Sequence, residues 1–148
     1  MADAKDVLQE SFIRIFRYMP KTTFARMDRS DHSMRPPMPA STIEFGSPNA
    51  CNICHDDKSP EWSNDWVAKW KGDDYQTESL RNARLLLDAR TGEWKFLEET
   101  LQALYNNEFN EVYTTSFIRL FATLENDMKW PAVLVHANNP SPLVRAAV

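Results

Sequence analysis

Two thiols separated by two residues, with an imidazole directly after the second, stand at Cys51-Asn52-Ile53-Cys54-His55. Two intervening residues give the span between the two vinyl groups of one porphyrin, and the next position puts a nitrogen ligand beneath the iron. The run predicts one covalently attached haem c, with Cys51 and Cys54 as thioether donors and His55 as the proximal axial ligand. Three other readings compete with it. A disulfide between residues three positions apart would be a poor staple for 148 residues. A structural zinc site typically uses a second, similarly spaced ligand pair, and with 2 Cys and 3 His in the chain no such pair exists. A thioredoxin-like dithiol would need a βαβ context, which the sequence lacks.

A haem held on one side by His55 poses the question of its other axial ligand. His32 lies in Asp31-His32-Ser33-Met34-Arg35-Pro36-Pro37-Met38-Pro39, 19 residues before Cys51, far enough for the chain to travel around a porphyrin edge. His32 is therefore the candidate distal ligand; Met34 and Met38 are softer alternatives that would raise the reduction potential. His136 occupies the apolar side of a helical segment and reads as a packing residue.

The elements that must position these groups differ along the chain. Val7, Leu8, Phe12, Ile15, Phe16 and Met19 recur at helical spacing, which predicts a helix over 5–19 that stops at Pro20. From 20 to 50 the period vanishes and Pro36, Pro37, Pro39, Gly46 and Pro48 predict a mostly extended, irregular stretch that wraps toward the cysteines. Ser59 as N-cap, Pro60 at the first position, and Trp62, Trp66 and Trp70 at i, i+4 and i+8 predict a helix over 60–71. Its tryptophan face is either a core face or the wall of the porphyrin. Phe45, Trp62 and Trp66 are the candidates for packing on the ring.

Beyond about residue 74 helical periodicity dominates, and a weak repeat recurs every 32 residues. Leu80-Arg81-Asn82-Ala83, Val112-Tyr113-Thr114-Thr115 and Val144-Arg145-Ala146-Ala147 hold matching places, as do Asn106-Asn107 and Asn138-Asn139. Trp94, Leu97, Leu101 and Leu104 predict a second helix in the first unit, and Val133, Leu134 and Val135 one in the next. Helix pairs at such a period predict an α-solenoid, in which each pair buries its face against its neighbours. The last copy opens with Ser141 as N-cap and Pro142 in the first turn, then stops at Val148 without a polar cap, so a truncated C-terminus is expected.

Charge and hydropathy narrow the classes of function. Net charge is −4 with both signs interspersed, and no basic stripe points to nucleic acid. No run of about 18 apolar residues is present, so no membrane span is expected. The first residues lack the apolar core of a secretory leader, although covalent haem attachment normally takes place outside the cytoplasm. A leader already removed, or a longer parent chain, is the expectation.

The stretch Phe45-Gly46-Ser47-Pro48-Asn49-Ala50-Cys51-Asn52-Ile53-Cys54-His55-Asp56-Asp57-Lys58-Ser59, with Trp62 and Trp66 after it, resembles bacterial multihaem cytochromes c. The similar proteins couple CxxCH motifs to tetratricopeptide or HEAT-like helical repeats, and Pro140-Ser141-Pro142-Leu143-Val144-Arg145 looks like the start of a HEAT repeat. The resemblance covers roughly residues 19–148 and is densest from 28 to 70. There is one departure. Family members commonly carry another CxxCH before a Met-Pro-Lys-x-Thr run; here Met19-Pro20-Lys21-Thr22-Thr23 follows Arg14-Ile15-Phe16-Arg17-Tyr18, which has no cysteine. If the family histidine matching His32 serves that missing haem, His32 has no iron here; if it serves the haem at Cys51–His55, the site has two histidines.

The resulting expectation is a mostly α chain: a small irregular haem module over 1–72 with an N-terminal helix and a Pro-rich wrapping loop, and HEAT-like repeats over 73–148. Its expected role is electron transfer within a larger multihaem assembly, with a redox partner or other haem-bearing chains, or a homo-oligomer or filament of its own, in the periplasm or outside the cell. A carrier is favoured over an enzyme. The alternatives are a haem enzyme or gas sensor with an open sixth position, where Arg35 or His32 would serve as the distal polar group, and an interaction module whose haem is structural.

Overall fold

In the computed structural model, residues 21–24, 26–30 and 37–148 are described. The helix expected over 5–19 lies outside them, as do His32, Met34 and Arg35. The described residues are mostly helical, with one short hairpin. Strands β1 (Lys21–Phe24) and β2 (Met27–Ser30) pair antiparallel, from Lys21 opposite Ser30 to Phe24 opposite Met27. Arg26 makes the reversal in the left-handed region, at φ 63°.

Eight helices follow among the described residues. They are α1 (Pro39–Phe45), α2 (Cys51–Cys54), α3 (Pro60–Lys71), α4 (Thr77–Thr91), α5 (Leu97–Tyr105), α6 (Glu111–Phe121), α7 (Lys129–Leu134) and α8 (Pro142–Arg145). The hairpin and α1 correct the expectation of an irregular stretch from 20 to 50. Pro39 and Gly46 are breakers by type, but they stand at the two places where a helix accepts them. Pro39 falls in the first turn, where its missing N–H is not needed. Gly46 is the C-cap, at φ 67°, and its N–H reaches the Thr42 carbonyl at 2.9 Å. A Cβ on Gly46 would meet nothing within 4 Å. Gly46→Ala should therefore cost only the backbone penalty of a left-handed residue, about 1–2 kcal/mol, visible as a lower denaturant midpoint at unchanged slope.

The described residues form two compact units, the first ending at Glu78 and the second running Ser79–Val148. In the first, α1 packs on α3, and α2 also touches α3. Its buried apolar residues among those described are Pro39 and Val67, beside the polar Asn49, Ser63 and Gln76. Each of these polar groups bonds to neighbouring side chains or backbone, Asn49 and Ser63 through Asn52. Gln76 accepts from the Ala40 N–H at 3.0 Å and donates to Asn64 at 2.8 Å, tying the start of α1 to α3.

The second unit has a continuous apolar core. Leu85 and Ala89 of α4, Leu101 and Leu104 of α5, Phe117, Ile118 and Phe121 of α6, Val133 of α7 and Val144 of α8 belong to one cluster. Phe109 and Phe117 meet with ring centroids 4.7 Å apart. Helix α5 packs on α7, and α6 on α8. Arg81 joins Glu99 at 2.7 Å and Glu108 at 2.8 Å, and these hydrogen-bonded carboxylates raise its already high pKa. The pairs are half-exposed and so contribute little.

Two connections differ from the sequence expectation. Trp94 does not open α5; it sits before it at φ 52°, with its ring 5.3 Å from that of Phe121. That backbone angle is not helical, and the buried carboxylate of Asp88 holds the segment that follows. Its two oxygens accept the N–H groups of Lys95, at 3.1 Å, and Phe96, at 3.0 Å. Ser141 does precede α8, yet its hydroxyl makes no cap. It donates instead to the Glu111 carboxylate at 2.6 Å, a charge-assisted bond to a residue 30 positions earlier.

Candidate functional site

Residues i, i+3 and i+4 of a helical turn share a face. The short helix α2 puts Cys51, Cys54 and His55 on one side, and the His55 N–H closes the turn on the Cys51 carbonyl at 2.9 Å. Cys51 is half-buried and Cys54 exposed, and both thiols are free. Helix α3 supplies the opposite wall. Ser59, in extended conformation, accepts the Trp62 N–H at 3.3 Å, and Pro60 follows it, as the spacing predicts. The Ser59 hydroxyl also holds the Glu61 carboxyl below the usual carboxylate range.

The tryptophan face of α3 is not a core face. The helix buries Ser63 and Val67, whereas Trp66 is 39% and Trp70 66% exposed. The three rings form a ladder, with centroids 6.3 Å apart from Trp62 to Trp66 and 5.8 Å from Trp66 to Trp70. The His55 ring lies 5.0 Å from that of Trp62, tilted by 53°. Lys69 places its ammonium 4.6 Å from the centre of the Trp66 ring, a cation–π contact. Together Cys51, Cys54, His55, Trp62, Trp66 and Trp70, with Pro37, Ala50 and Ser63, line an open cleft of about 320 Å³. That volume lies at the low end of sites that take small molecules and cofactors.

The other candidates fall elsewhere. Phe45 ends α1, half-buried, and does not line the cleft. Met38 is half-buried at the N-cap of α1, where its carbonyl accepts the Ser41 N–H at 3.0 Å. His32 and Met34 lie outside the described residues. His136 is buried in the second unit, two residues beyond the end of α7, and is a packing residue. Its Nε2 meets the Leu104 carbonyl at 2.9 Å and its Nδ1 the Asn139 amide at 3.2 Å. Among the described residues no three His, Cys, Asp or Glu side chains converge as a bare metal ion would require.

Sequence reading passed over the polar residues behind the motif. The Asn52 N–H is capped by the Asn49 carboxamide oxygen at 3.1 Å, and the Asn49 NH2 bonds to Thr42 at 3.0 Å and to the Asn52 oxygen at 2.9 Å. The one available signal was Asn49, three residues before Asn52, which is N-cap spacing. Beyond the turn, the Lys58 ammonium hydrogen-bonds Asp57 at 2.7 Å and holds its carboxyl below the ordinary range.

The donor set fits a covalently attached haem. Two free thiols and an imidazole share one face of a helical turn and open onto an aromatic cleft. No family model, no curated protein and no solved structure matches this chain.

Proposed function

We propose that this protein is a c-type cytochrome that binds one covalent haem and transfers electrons within a larger, multihaem assembly. The observation that carries the reading is the shared cleft of Cys51, Cys54, His55 and the Trp62–Trp66–Trp70 ladder. Cys51 and Cys54 would hold the haem by thioethers, and His55 would be its proximal ligand. Bound there, the haem supplies a one-electron couple. Trp62 restricts the plane of the His55 ring, Trp66 and Trp70 offer an apolar wall, and Lys69 sits beside Trp66 as a cation near the cleft. The described residues of the first unit support the same reading, because they bury only Pro39 and Val67 as apolar side chains and a porphyrin would add apolar surface beside them. His32 is the proposed distal ligand, with Met34 and Met38 as alternatives.

We read α4 to α8 as HEAT-like repeats. Helix α7 begins 32 residues after α5, and the two pack together. The hydrogen bond from His136 to Leu104 spans the same 32 residues. In this reading the repeat is the docking surface for a redox partner, for other haem-bearing chains or for further copies of this one. The proposed location is periplasmic or extracellular; no described helix is long and apolar enough to cross a membrane.

Expression in a host that matures c-type cytochromes tests the proposal. The expected intact mass carries one haem, and the reduced-minus-oxidised spectrum is low-spin and unchanged by carbon monoxide. Rapid binding of carbon monoxide would replace the carrier by an enzyme or sensor with an open sixth position.

A further inference from the structure

The CxxCH chemistry leaves the residue after the first cysteine unspecified. In this chain that residue, Asn52, is the hub of the turn, and every hydrogen-bonding atom of its side chain is engaged. Its oxygen accepts from Asn49 at 2.9 Å and from the Ser63 hydroxyl at 3.1 Å. Its NH2 donates to the His55 carbonyl at 3.3 Å and to the Lys58 carbonyl at 2.8 Å. The Lys58 N–H in turn meets the His55 carbonyl at 3.1 Å. Asn52 thus lies behind the face that carries Cys51, Cys54 and His55, and ties that turn to α3 at Ser63, a buried residue.

We propose that Asn52 is a positioning residue for the haem ligand His55, holding the backbone from His55 to Lys58 so that the imidazole is presented at a set angle against Trp62. This rests on the haem reading above. Asparagine is the side chain that suits the place. Aspartate has the same shape but would set a carboxylate against two carbonyl oxygens, losing both donors. Glutamine is one methylene longer, and serine has a single donor. A ligand whose backbone is fixed by its surroundings loses less freedom on coordination, and its ring orientation tunes the iron.

The test compares the full chain with Asn52→Asp, Ser63→Ala and Gly46→Ala, all matured in the same host. Haem content is read by intact mass, the iron by its visible spectrum and midpoint potential. Gly46→Ala is the control for simple weakening of the same unit, since it touches no part of the turn. The expected result is at least a threefold lower haem-bearing fraction in Asn52→Asp, with a shifted spectrum and potential in what does load. Ser63→Ala, which removes one of the two donors to the Asn52 oxygen, should shift in the same direction by less, and Gly46→Ala should keep the wild-type spectrum. Asn52→Asp with wild-type loading, spectrum and potential would overturn the proposal. So would equal spectral shifts in Asn52→Asp and Gly46→Ala. If Asn52→Asp takes up no haem at all, Ser63→Ala decides: a shifted spectrum supports the role and a wild-type one overturns it. A wild-type chain without haem would instead sink the haem reading itself.

Discussion

Replacing Cys51 and Cys54 together by alanine is expected to remove the whole haem increment from the intact mass and the visible absorbance with it. On the proposed reading the two thioethers are the covalent attachment, and 2 is the full cysteine complement of the chain. The single replacements should be milder, because one thioether still tethers the ring. A second consequence follows from packing. Pro39 and Val67 are the buried apolar residues described in the first unit, while the Trp66 and Trp70 faces are open. Losing the haem therefore leaves a large aromatic surface in water, at a cost of roughly 25 cal/mol for every Å² of apolar surface that stays uncovered. The melting transition of the first unit should fall while that of Ser79–Val148 stays in place. An unchanged first transition would sink the idea that the haem completes that unit's core, and with it the structural-haem alternative.

The second large effect belongs to His136, which is 1% exposed. The Leu104 carbonyl can only accept, so Nε2 carries the hydrogen and Nδ1 accepts from the Asn139 amide. His136→Ala removes a ring from a close-packed core and leaves the Asn139 amide without this acceptor. Together these should destabilise the second unit by about 2–4 kcal/mol, read from the denaturant midpoint. His136→Leu should cost less. Leucine keeps most of the volume, it is the residue at the matching place 32 positions earlier, and the Leu104 carbonyl retains the Asn107 N–H at 3.1 Å. Equal losses for the two variants would show that the hydrogen bonds, not the packing, carry the effect.

These two sites mark different degrees of legibility. The start of α3 at Ser59–Pro60 and the 32-residue recurrence are local or periodic properties, readable because a few residues at fixed spacing determine each, whereas the helical turn over Cys51–His55 is not among the sequence expectations. Errors arose where a residue had two local roles or a distant competitor. Pro39 and Gly46 read as loop breakers but bound a helix. Trp94 has the right spacing for α5, yet its backbone stands at φ 52°, and Asp88 holds the Lys95 and Phe96 N–H groups before the helix opens. Ser141 is a good cap by type, yet its side chain makes no cap bond and its hydroxyl donates to Glu111, 30 residues away.

For the motif itself, the residue types alone carry the haem proposal, since the atoms that would form the bonds are adjacent in the chain. What surrounds it is decided by tertiary structure. The period of Trp62, Trp66 and Trp70 is the same whether the face is core or cleft wall, and the packing of Ser63 and Val67 against the rest of the unit turns it outward. The role of Asn52 depends on Ser63, 11 residues on, and on Thr42 behind Asn49. No local pattern encodes those partners, because hydrogen bonds between separate elements exist only once the chain has brought the elements together.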